Sequence, residues 1–124
     1  MKALVDTGNN VSEEVAISEA LHRKLQVGYQ NQEKKLIGTA GADARITKLG
    51  KSNPIKMKFE GIRKEFVITP TVIKELADTV NIGDRFLSNL SQKENMKVRI
   101  EYASGEKKLT LGTEASKSNN IEFT

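Results

Sequence analysis

Ile55, Met57 and Phe59 alternate with Lys56 and Lys58, and a period of two admits one regular backbone, a strand with one face in the core and the other in solvent. The alternation returns in Val98-Arg99-Ile100-Glu101-Tyr102 and, after Ser104-Gly105, in Leu109 and Leu111. Two such runs joined by a Ser-Gly turn predict a closing hairpin. Glu65 to Thr69 is another short apolar run, ended by Pro70. Helical signals are few: Ser18 is an N-cap for Glu19 to Leu25, and Phe86, Leu87 and Leu90 have the i, i+1, i+4 spacing of one buried face. Helices of about two turns cannot support a bundle. Thr71 to Thr79 reads as helix or loop. The class is mainly β, with several short strands and one or two short helices.

Composition narrows the chemistry. The 124 residues include four Phe, two Tyr and no Trp, so one small domain must build its core from Ile, Val, Leu and Met, and oligomerisation would add burial. The absence of cysteine excludes disulfides, thiolate zinc sites and a cysteine nucleophile. It also fits a reducing compartment, and a cytoplasmic location is expected. No apolar run approaches membrane-spanning length, and Met1 to Val5 is too short for a signal peptide, so no membrane association is expected. His22, between Leu21 and Arg23-Lys24, reads as a solvated surface residue, and no metal constellation or cofactor motif is visible. Net charge is +4. Lys56, Lys58, Arg63, Lys64, Lys107 and Lys108 fall at alternating and turn positions without interleaved aromatics, which reads as solvated sheet faces rather than a nucleic-acid footprint. Gly28 to Lys35, which reads as turn-rich, and Glu114 to Asn120 are polar stretches outside the core.

The stretch with most chemical content is Ala3-Leu4-Val5-Asp6-Thr7-Gly8. An apolar strand stops at an acid, a hydroxyl and a glycine. An aspartate at the end of a buried strand is partly desolvated, which raises its pKa. The threonine hydroxyl can brace the loop, and glycine lets backbone approach a substrate or partner closely. Further along stand a small-residue segment, Ile37-Gly38-Thr39-Ala40-Gly41-Ala42, and an apolar-Gly element, Ile82-Gly83-Asp84-Arg85-Phe86-Leu87.

In this order, from about residue 3 to residue 112, the elements resemble the retropepsin family, the aspartic proteases of retroviruses and retrotransposons. The resemblance implies a closed β-barrel of the acid-protease half type, spanning 1–113, in an obligate or weak C2 homodimer. Residues 114–124 are then a flexible tail, and Ile121-Glu122-Phe123-Thr124 a dimer strand or a processing segment. The implied activity is endopeptidase cleavage of extended peptides, as in polyprotein processing. Two carboxylates sharing one proton are needed, one to take a proton from water and one to protonate the scissile carbonyl. The chain has one Asp-Thr-Gly, so Asp6 must meet Asp6 of a second copy. By resemblance Thr7 braces the opposite loop, Gly8 meets substrate backbone, and Gly38, Thr39, Ala40, Gly41 and Ala42 form a flap over the peptide, with Asn9 and Ile82 as further substrate-side residues. No metal or cofactor is implied. The chain departs from the family where Asn9-Asn10 follows the triplet and where Asn81 precedes Ile82, placing one polar side chain near the core. With the few residues before Asp6, Asn9 favours the alternative, an inactive dimerisation or peptide-binding module of the same fold.

Overall fold

The computed structural model describes residues 3–5, 14–38, 45–76, 80–103, 106–111, 114–115 and 121–123. In chain order they form β1 (Ala3–Val5), β2 (Val15–Ser18), α1 (Glu19–Leu25), β3 (Tyr29–Gly38), β4 (Arg45–Ser52), β5 (Ile55–Phe59), β6 (Glu65–Ile68), β7 (Thr71–Ile73), β8 (Val80–Ile82), α2 (Asp84–Gln92), β9 (Val98–Ala103), β10 (Glu106–Leu111), β11 (Glu114–Ala115) and β12 (Ile121–Phe123). The protein is mainly β. The alternating run Ile55 to Phe59 is β5, buried at Ile55, Met57 and Phe59 and exposed at both lysines. Val98 to Leu111 is the expected antiparallel hairpin, β9 on β10 with Ala103 opposite Glu106.

Closure into a barrel does not occur among the described residues. The strands form three open sheets: six strands in the order β1-β8-β2-β7-β4-β3, three as β11-β10-β9 and three as β12-β5-β6. A barrel needs every strand paired on both edges. Here the sheets meet through side chains instead, and Val15, Ile17 and Val80 of the large sheet share one core with Met57, Phe59, Leu109 and Ile121 of the small ones.

Both helices form where their caps dictate. Ser18 is extended, and its hydroxyl accepts from the Leu21 N–H at 3.0 Å, satisfying one of the donors a helix start leaves open. Gln26, at φ 55°, ends α1 in the left-handed region. α2 starts at Gly83 and buries Phe86, Leu87 and Leu90. Phe86 stands edge-on to Phe66 at 5.6 Å, and Phe66 to Phe59 at 6.0 Å, so the helix is tied to β6 and β5 through aromatic contacts.

Three expectations are corrected. His22 is not on the surface: it is 4% exposed, its ring lies 4.4 Å from that of Tyr29, and its Nε2 donates to the Gly28 carbonyl at 2.8 Å. The chain folds back after α1, and the Gly28 carbonyl accepts from both the His22 ring and the Asn53 N–H, the latter at 3.1 Å. Residues 29–35 are strand, not turn. They belong to β3, the edge of the large sheet, where residues 30–34 are exposed and bulges break the register, so no apolar alternation marks them. At the C-terminus, β12 pairs antiparallel with β5 of the same chain, Ile121 opposite Phe59, and Ile121 is 1% exposed. An apolar residue placed to extend β5 fills the core of its own subunit. Of the stretch left as helix or loop, Thr71–Ile73 is strand β7, running parallel to β2.

Candidate functional site

Asp6, Thr7, Gly8 and Asn9, with Thr39, Ala40, Gly41 and Ala42, lie outside the described residues; the frame around them is described. β1 ends at Val5, one residue before Asp6, and runs parallel to β8 with Val5 opposite Ile82. On the other side of β8, β2 runs antiparallel with Val15 opposite Ile82. Both ends of the segment from Asp6 to Glu13 are therefore held at one point, on either side of Ile82. The Gly83 N–H donates to the Glu14 carbonyl at 2.6 Å and fixes the second end. With strands about 4.8 Å apart, the two anchor points are separated by about 10 Å. The N-terminus of α2 follows directly from Gly83.

This arrangement is a strand threaded between two others that the chain joins directly. It needs β8 to be short and apolar on its core face, and Val80 and Ile82 supply that, both 0% exposed. Ile82, expected on the substrate side, is thus a core residue whose contribution is to seat the three strands.

Asn81 occupies the middle of that strand, paired with Leu4 on one side and Ala16 on the other. It is 8% exposed, and its Oδ1 is buried without a hydrogen-bond partner among the described residues. An unsatisfied buried acceptor costs about 1–3 kcal/mol. Leu has nearly the shape of Asn, so Asn81→Leu is expected to raise stability by about 1 kcal/mol or more, read from denaturant midpoints at constant slope. A destabilised variant would show that Asn81 is satisfied after all.

The second expected element is a hairpin. β3 and β4 pair from Tyr29–Ser52 out to Gly38–Arg45, and Gly38 is the last described residue before the tip. β4 is also paired with β7, but only from Lys51 to Lys48. Beyond Lys48 the hairpin is a two-stranded arm, with no third strand paired to it among the described residues. At Thr47, the first residue past that point, the N–H donates to Glu75 Oε2 at 2.6 Å and the hydroxyl to Glu75 Oε1 at 2.6 Å. The Thr47 carbonyl accepts from the Lys74 N–H at 3.0 Å. Hydrogen bonding by the Thr47 hydroxyl, more than any other influence, holds the Glu75 carboxyl below the usual carboxylate range. Sequence reading missed Glu75, and no local pattern marks it: its partner is 28 residues away and the residue itself is exposed.

The hollows between β6 and α2, lined by Val67, Phe86 and Asn89 among others, contain none of the expected site residues. Among the described residues no group of three His, Asp or Glu side chains is placed to hold a metal ion, and no helix is long and apolar enough to cross a membrane. The chain matches no protein-family model, no curated protein and no solved structure.

Proposed function

We propose that the chain is a homodimeric aspartic endopeptidase of the retropepsin kind, in which Asp6 from each of two copies activates water to hydrolyse extended peptides, as in polyprotein processing. The observation that carries the reading is the threading of β8 between β1 and β2. The one Asp-Thr-Gly of the chain begins a residue after β1, and the ends of its segment are pinned beside Ile82 and Gly83. A carboxylate that must share a proton with a twin needs a fixed starting point, because the like-charge coupling that splits the two titrations acts only at close range. The sequence that joins β3 to β4 contains Ala40, Gly41 and Ala42, and a small-residue cover over a bound peptide would exclude water from it. Substrate would lie extended beneath it, paired through main-chain hydrogen bonds.

Cleavage of an unfolded protein between about pH 4 and 7, over a dilution series, tests the reading. If the dimer dissociates within the range, specific activity should fall on dilution, because the site exists only in the dimer. Cleavage at internal peptide bonds with that dependence supports the proposal. Absence of cleavage at every concentration, with the chain folded and dimeric, removes it and leaves the non-catalytic peptide-binding module that Asn9 favours.

A further inference from the structure

In an antiparallel ladder a residue's N–H and C=O point to the same side. Thr47 lies opposite Leu36, yet its N–H and C=O are both taken by Glu75 and Lys74. Both groups therefore face away from β3, toward the place where β7 would lie if it continued past Ile73. Two consecutive residues fill that place without being a strand. Lys74 gives the amide, and the Glu75 side chain replaces the missing carbonyl.

We propose that Glu75 is a positioning residue for the β3–β4 arm: its ionised carboxylate, closed on Thr47, fixes the base of the arm. That the arm covers a substrate rests on the protease reading above; that Glu75 holds the arm does not. Thr47 is 5% exposed and sits at the step where β4 passes from three-stranded sheet to two-stranded arm. One register position inward, Lys48 is tied to Glu33 at 3.2 Å, and beyond the Glu75 clasp the described pairing of β4 is with β3.

The charge makes the clasp responsive to acid. The groups facing Glu75 are Thr47 on β4 and the neighbouring Lys74, whose charge adds to the lowering; Lys48 is engaged by Glu33. Because the folded-state pKa is lowered, the contribution of the clasp is complete above the unfolded value and is lost as pH falls through the folded one. It stays closed at neutral pH and opens at the acid end.

Amide exchange resolved by residue, compared as protection factors at two pH values, tests this in the full chain. In Glu75→Ala the amides of Ile46 and Thr47 should lose about tenfold or more of their protection at both pH values, as expected for a lost charge-assisted bond, while Met57 and Phe59 keep theirs. Glu75→Gln keeps an acceptor for the Thr47 N–H and should rescue part of the protection while abolishing its change with pH. Where wild type cleaves peptide, both variants should raise KM more than they lower kcat. Unchanged protection of Ile46 and Thr47 in Glu75→Ala overturns the proposal whatever the activity. Lost protection in Glu75→Ala, beside a wild type that cleaves nothing, upholds the clasp and removes only the protease reading.

Discussion

Asp6→Asn is expected to reduce peptide cleavage by about a hundredfold to ten-thousandfold, the range that a positioned proton-transfer group contributes. The substitution keeps the shape of the side chain and removes its ionisation. A dyad needs one carboxylate to accept the proton of water and one carboxylic acid to donate to the carbonyl oxygen, and an amide does neither. Two copies each contribute one residue, so mixtures are informative as well. If equal amounts of wild type and variant pair at random, about a quarter of the dimers keep both carboxyls, and at the same total protein activity should fall to that fraction of the value for wild type alone. Initial rates on one peptide, with thermal unfolding of both proteins recorded beside them, provide the check. Undiminished cleavage by Asp6→Asn would place the chemistry elsewhere.

Gly50→Ala should be among the most destabilising single changes in the chain. Gly50 lies in β4, opposite Gln32 on one side and Val72 on the other, with φ +136°. Holding an alanine in a glycine-only region costs about 1–3 kcal/mol before any contact is considered. Here there is also no room: a Cβ would stand 2.2 Å from the Asn31 carbonyl oxygen and 3.0 Å from the Gln32 Cα. Both are backbone atoms, so no side chain can turn aside, and β3 itself must move. The bulge that lets β3 pass Gly50 would be lost and the base of the arm disturbed. Gly28→Ala is the comparison, since its φ of +72° carries the conformational cost but its nearest neighbour is the Asn53 side-chain amide at 3.3 Å. Melting temperatures should fall for both, and by several degrees more for Gly50→Ala. Equal effects would mean that the tight approach of β3 to Gly50 is not present in solution.

Much of the fold was legible where one residue determines its own neighbourhood. Ser18 caps α1, Ile55 to Phe59 alternate, and Phe86, Leu87 and Leu90 face inward. Illegible parts depend on what the chain meets. His22 has the flanks of a surface residue, and only the return of Gly28 and Tyr29 buries it. β3 carries polar residues because it is an edge strand, and an edge needs no alternation. Ile121 looked like a strand in search of a partner, and β5 of the same chain provides one. For the site, the Asp-Thr-Gly triplet and the strand-Gly-helix element are visible as words in the sequence, and their anchoring strands are neighbours in the sheet. The Glu75 clasp was invisible because its chemistry is one ordinary carboxylate, made special by an unfilled place beside Thr47.

The position of β8 also bears on biosynthesis. β1 leaves the ribosome well before the strand that locks it, Val80–Ile82, since residues 6–79 lie between the two. Pairings across such separations form late, because the intervening chain must be closed into a loop before the contact returns any stability. The segment with Asp6 thus has no fixed anchor while the chain is nascent. On the protease reading proposed above, a chain whose β8 has not yet emerged lacks the strand that anchors the Asp6 segment, and strand order itself delays assembly of the site.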